Sequence, residues 1–116
     1  MLGERLAADH LKALGFTILD RNFRTRHGEL DLVVRDARHL VFCEVKTRVL
    51  RGRPGPFDPF VGINRRKRGR VRSMARDWLA ARAEGSPPAE LRFDAIAVAV
   101  DRSGRLLTLD HLEGAF

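Results

Sequence analysis

The chain has 116 residues, 44% hydrophobic and 32% charged, with a formal net charge of +7. That length suits one domain with its own core and leaves little room for a second. No apolar run approaches the ~20 residues of a membrane helix, and the lone Cys43 excludes an internal disulfide.

The N-terminal stretch is amphipathic and carries Glu4 and Asp9, unlike a secretory signal, so a cytoplasmic protein without a membrane partner is expected. Cys43 sits inside an apolar run and reads as a small buried thiol. The positive charge is concentrated. Arg51 to Arg82 holds ten Lys/Arg and two Asp, whereas the rest of the chain is close to neutral. This is the footprint of a polyanion-binding surface, the bland alternative being a solvated helix face.

Leu2 to Leu14 reads as a helix with Leu6, Ala7, Leu11 and Leu14 on one face and Gly15 as its stop. Glu4 falls at the border of that face. Phe16 to Phe23 is a weakly alternating strand, and Arg24 to Gly28 a turn. Glu29 to Arg35 alternates well, setting Leu30, Leu32 and Val34 against Glu29, Asp31, Val33 and Arg35. Leu40 to Val49 follows as the second strand of a hairpin, with Leu40, Phe42, Glu44, Lys46 and Arg48 on one face. Arg51 to Phe60 is rich in Gly, Pro and Arg and reads as a mobile basic loop, extending over about 50–62. A long helix runs from about Asn64 to about Ala83 with an apolar stripe of Val71, Met74, Ala75 and Trp78. Ser86 to Pro88 is a linker, "LRFDAIAVAV" a buried strand, and "LLTLDHL" a last strand after the Ser103-Gly104 turn.

The hairpin connection fixes a register. Arg35 meets Leu40, Val33 meets Phe42, Asp31 meets Glu44 and Glu29 meets Lys46. Carboxylates opposed across strands repel, which makes sense if a cation lies between them. Mg²⁺ takes oxygen ligands of this kind together with phosphate oxygens, and Lys46 adds an ammonium beside it. The competing interpretation is a structural ion-pair cluster of Glu29, Glu44 and Lys46. His10, His27, His39 and His111 are scattered, with surface or packing roles expected.

Asp31 followed by Glu44-Val45-Lys46 resembles the signature of restriction-endonuclease-like nucleases. "GERLAADHLKALGF", "NFRTRHGELDLVV", "LVFCEVKTR", a lysine in a later helix and "RFDAIAV" occur in the order found in the YraN-like family. Its members are uncharacterised bacterial proteins, predicted endonucleases akin to archaeal Holliday junction resolvases. The resemblance implies an α/β fold, a mixed sheet of about five strands flanked by helices. It implies Asp31, Glu44, the Val45 carbonyl and Glu4 as ligands of Mg²⁺ or Mn²⁺, Lys46 as catalytic lysine, Glu29 as a partner of Lys46, and Lys67 as a phosphate contact. The family's pattern has a short segment before the equivalent of Gly3-Glu4, so here the helix carrying Glu4 is expected to fray.

The expected activity is phosphodiester hydrolysis in DNA, branched or junction DNA included. Arg51, Arg53, Arg65, Arg66, Lys67, Arg68, Arg72 and Arg76 are the expected DNA contacts. Two alternatives stay open: a nucleic-acid-binding protein with a weak or silent nuclease site, and an assembly factor that uses the basic helix to hold a partner; whether the chain forms a homodimer is open as well.

Overall fold

The computed structural model describes residues 2–51, 60, 65–82 and 90–116, with backbone alone at Arg65 and Arg66. Of the expected basic loop only Leu50, Arg51 and Phe60 are described, and the Ser86–Pro88 linker lies outside the described residues. The described elements follow the order α1 (Leu2–Ala13), β1 (Thr17–Thr25), β2 (Gly28–Arg35), β3 (His39–Val49), α2 (Arg65–Ala81), β4 (Glu90–Val100) and β5 (Leu106–Leu112). This is the expected α/β architecture with five strands. Helix α1 ends where Gly15 adopts φ +97°, and Phe16 N–H closes onto the Leu11 carbonyl at 3.0 Å. Such a left-handed stop favours glycine. Leu14 falls beyond the last helical turn and is 55% exposed, so it leaves the buried face where periodicity had placed it.

The strands form one sheet in the order β1-β2-β3-β4-β5. β1 to β3 are antiparallel neighbours, β3 and β4 run parallel, and β5 returns antiparallel. A parallel neighbour needs a crossover, and α2 lies in the connection between β3 and β4. Two apolar layers cover the sheet. Ala7, Ala8 and Leu11 of α1 pack on Leu32, Val34, Val41, Cys43, Ile96 and Val98. Val71, Met74, Ala75 and Trp78 of α2 pack on Leu30, Val33, Leu40, Phe42 and Phe93. The closing residues Ala115 and Phe116 join this second layer.

One expected face is wrong. Leu30 belongs to the α2 layer, Leu32 and Val34 to the α1 layer. The alternation breaks at Asp31, opposite a kink in β1 where Asn22 takes φ 53°. Asparagine tolerates this left-handed conformation better than most residues. Local irregularities of this kind re-aim side chains, and this one lies where the carboxylates gather. Among the described residues no helix is long and apolar enough to cross a membrane.

Candidate functional site

Glu4 is held by the close approach of α1 to the sheet. Gly3 is buried, and a Cβ there would overlap Thr47 Oγ1 and crowd the Cβ and Cγ2 of the same residue. The helix is formed from Leu2 onward and carries Glu4 in its first turn. Gly→Ala inside a helix ordinarily stabilises by about 0.5–1 kcal/mol. Gly3→Ala should do the reverse, costing about 1–3 kcal/mol through overpacking. A thermal melt checks the sign, and an unchanged or raised melting temperature would mean that α1 does not depend on this contact.

The β1–β2 irregularity brings three carboxylates together. Single oxygens of Glu4, Glu29 and Asp31 all lie within 4.8 Å of one another. With its amide oriented to donate, Asn22 reaches Glu29 Oε1 at 2.8 Å and Glu4 Oε2 at 3.0 Å. Asp31 Oδ2 accepts the Val45 N–H at 2.7 Å, tying the cluster to β3. Burial pushes the Asp31 carboxyl up to about 6; the Val45 N–H pulls it down, while the charges of Glu4, Glu44 and Glu29 push further up. Asp31 is therefore the common neighbour of all the other candidate carboxylates.

Glu44, Lys46 and Lys67 form the second half of the site. Lys67 reaches from the first turn of α2 to within 2.7 Å of Glu44 Oε1. The other carboxylate oxygen, Glu44 Oε2, is buried and has no hydrogen-bond partner among the described residues. The Lys46 ammonium is lowered from its ordinary value by burial and by the charge of Lys67, with which it is in hydrogen-bonding contact. A pocket of ≈ 180 Å³ opens beside Glu44, lined also by Glu29, Gly28, Leu30, Arg70 and Met74. Sequence reasoning missed Arg70. Its signal was the three-residue spacing from Lys67, which puts both on neighbouring positions of one helix face.

The expected register holds for Arg35↔Leu40 and Val33↔Phe42, but the described β2–β3 ladder ends at Leu32↔Cys43. Asp31 consequently meets β3 through the Val45 N–H. Glu29 sits with Glu4 and Asp31, and its Oε2 lies 3.6 Å from Arg24 Nε. Its expected place opposite Lys46 is not among the paired residues. Cys43 is buried as expected, and burial pushes its thiol up, which keeps it protonated and unreactive.

The basic face is described in part. Arg68, Arg72 and Arg76 are exposed on α2, and Arg51 is exposed just after β3. Arg72 donates to the Phe116 carbonyl at 3.3 Å and lies over the Phe93 ring, while Arg76 donates to Ser73 Oγ at 3.2 Å. Arg53 and the side chains of Arg65 and Arg66 lie outside the described residues.

A polar network on the α1 side went unforeseen. Asp94 is fully buried. It accepts from Arg92 Nε (3.0 Å) and Nη2 (3.0 Å), His111 Nε2 (2.8 Å) and the Gly114 N–H (3.1 Å). His111 Nδ1 pairs in turn with His10 Nε2 of α1 at 3.0 Å.

Glu4, Glu29, Asp31 and the buried Glu44 Oε2 are hard oxygen donors, the set that suits Mg²⁺ or Mn²⁺ rather than a soft metal. A family profile described as "Uncharacterised protein family UPF0102" matches residues 3–98. A UPF0102 protein of Frankia casuarinae is 46% identical over 114 residues, covering 98% of this chain and 92% of that protein. Those of Streptomyces griseus and Pelotomaculum thermopropionicum are 43% and 42% identical, covering 97% and 99% of this chain and 90% and 92% of their own lengths. Motif order, architecture and full-length similarity agree: the chain belongs to the UPF0102 family, the YraN-like family that its motifs resemble.

Proposed function

We propose that this protein is a divalent-cation-dependent nuclease that hydrolyses phosphodiester bonds in DNA. The observation that carries the reading is a gathering of carboxylates where β2 meets β3, which Lys67 balances only in part. Asp31 is pushed up to about 6 by burial and by surrounding carboxylates, and beside it Glu44 Oε2 is buried without a hydrogen-bond partner among the described residues. A fold selected for stability alone would neutralise such a cluster; a site that receives a cation needs it.

Asp31 and Glu44, with Glu4, Glu29 and the Val45 carbonyl as further donors, would hold Mg²⁺ or Mn²⁺, which when bound supplies Lewis-acid polarisation of a phosphoryl oxygen and a water of lowered pKa. The side chains do the rest. Lys46 can orient the attacking water and, as the ammonium, stabilise charge beside the scissile phosphate. Arg70, lining the pocket, offers positive charge to a phosphate oxygen. Arg51, Arg68, Arg72 and Arg76, with Arg53, Arg65 and Arg66, would hold the duplex by its backbone.

The direct test is incubation with supercoiled, nicked, flap and four-way DNA in Mg²⁺ or Mn²⁺, with Glu44→Gln as control. Cleavage by the wild type and not by the control supports the reading. Binding without cleavage of any substrate would leave a nucleic-acid-binding protein with a silent site. Binding itself should depend steeply on salt. Neutralising about four phosphates gives a log–log slope of roughly −3 to −4 on duplex DNA. Changing Arg65, Arg68, Arg72 and Arg76 together to Gln should flatten that slope and leave Mn²⁺ affinity unchanged. A wild-type slope in this variant would make the stripe a solvated face.

A further inference from the structure

The first turn of α2 breaks an electrostatic rule. Arg65, Arg66, Lys67 and Arg68 open the helix, with no acidic residue in that turn. Cations are disfavoured at a helix N-terminus, whose dipole prefers an anion. Lys67 nonetheless points inward, to a mostly buried contact with Glu44 at 2.7 Å, where the two side chains are 18% and 23% exposed. It also touches Lys46, so two lysines share this corner of the site. A permanent structural pair would have left the carboxylate satisfied at both oxygens, yet Glu44 Oε2 is buried without a hydrogen-bond partner among the described residues.

We propose that Lys67 is an exchangeable internal counter-ion: it neutralises Glu44 while no divalent cation is bound, and passes to a phosphate oxygen of the nucleic acid when a cation takes Glu44. The inference rests on the nuclease reading above and adds a coupling to it. The ammonium and the divalent cation compete for one carboxylate, so Lys67 weakens cation binding in the absence of DNA. Once displaced, its charge is available at the helix N-terminus, where a phosphate is the favoured ligand. Cation and DNA therefore bind with positive coupling, and coupling of this kind is reciprocal.

The experiment compares wild type with Lys67→Gln, whose neutral amide can still donate to Glu44 and whose folding is checked by circular dichroism. Mn²⁺ affinity is measured by calorimetry without DNA. Binding to a 20-base-pair duplex is measured with and without Ca²⁺, chosen to limit cleavage. Removing a competing charge so close to the ligand should tighten Mn²⁺ binding in the variant by about three- to tenfold. The gain in DNA affinity produced by Ca²⁺ should be smaller in the variant than in the wild type. Equal or weaker Mn²⁺ affinity in the variant, or an equal Ca²⁺-induced gain, overturns the exchange while leaving the nuclease site standing. Absence of Mn²⁺ binding in both proteins overturns the metal site itself, and the exchange with it.

Discussion

Asp31→Asn should abolish cation-dependent cleavage and, in metal-free protein, raise the melting temperature at about pH 7.5. The substitution removes a charge and almost no volume. The Asn carbonyl oxygen can still accept the Val45 N–H that Asp31 Oδ2 accepts at 2.7 Å. What disappears is a carboxylate that burial and the charges of Glu4, Glu44 and Glu29 disfavour. With the folded value near 6 and the ordinary value at 3.8, the native state binds the proton more tightly than the unfolded chain. Wild-type stability should therefore fall as pH rises between about 4 and 6 and stay low above that. A shift of this size corresponds to a cost of about 3 kcal/mol before solvent screening reduces it. The Asn variant should lack this decline. Mn²⁺ should stabilise the wild type, by occupying the carboxylates, and leave the variant unmoved. Melting curves of both proteins across this pH range, with and without Mn²⁺, test it. A variant less stable than wild type at neutral pH would show that the ionised Asp31 supports the fold.

Both expected effects of the substitution would come from the same charge. Functional sites are where such costly groups persist, which also explains what could be read in advance. The order of elements, the Gly15 stop, the α2 stripe and the pairing Val33↔Phe42 follow from local periodicity and turn chemistry. The break at Asp31 does not, because "ELDL" alternates cleanly as a string. It coincides with the positive φ of Asn22 on the neighbouring strand and with a side chain that bonds across to Val45. Glu29 consequently joins Glu4 and Asp31, where extrapolating an ideal ladder had sent it to Lys46. The inward turn of Lys67 was half legible. Its spacing to Val71 and Met74 set it on the inner face, but nothing local says that a lysine at a helix start meets a glutamate on a distant strand. The partners of Asp94 were hidden for the same reason: Arg92 shares its face two residues away, whereas His111 and Gly114 arrive from β5 and the C-terminus.

Asp94→Asn should be the most destabilising of these changes. Burial alone would push this carboxyl up, but the hydrogen bonds from His111, Arg92 and the Gly114 N–H hold it below its usual range. A depressed carboxylate contributes stability that is present above its unfolded value and is lost as pH falls through the folded one. Removing its charge leaves the mostly buried Arg92 guanidinium with the largely exposed Glu113, at 3.7 Å, as its remaining acidic contact among the described residues. Breaking a buried pair in this way costs about 3–5 kcal/mol, against a total stability of about 5–15 kcal/mol for a protein domain. The damage should also reach the site. Asp94 orients His111, whose other nitrogen pairs with His10 of α1 at 3.0 Å, and α1 carries Glu4 toward Glu29 and Asp31. Loosening this tether should weaken Mn²⁺ binding at temperatures where the variant is still folded. Phe16→Leu makes a suitable comparison, since it removes the ring stacked on Arg92 and leaves the charged network whole. Urea unfolding and Mn²⁺ titration of the two variants separate the possibilities. If Asp94→Asn lowers stability no more than Phe16→Leu and leaves Mn²⁺ affinity at the wild-type value, the network is not what fixes α1 over the carboxylates.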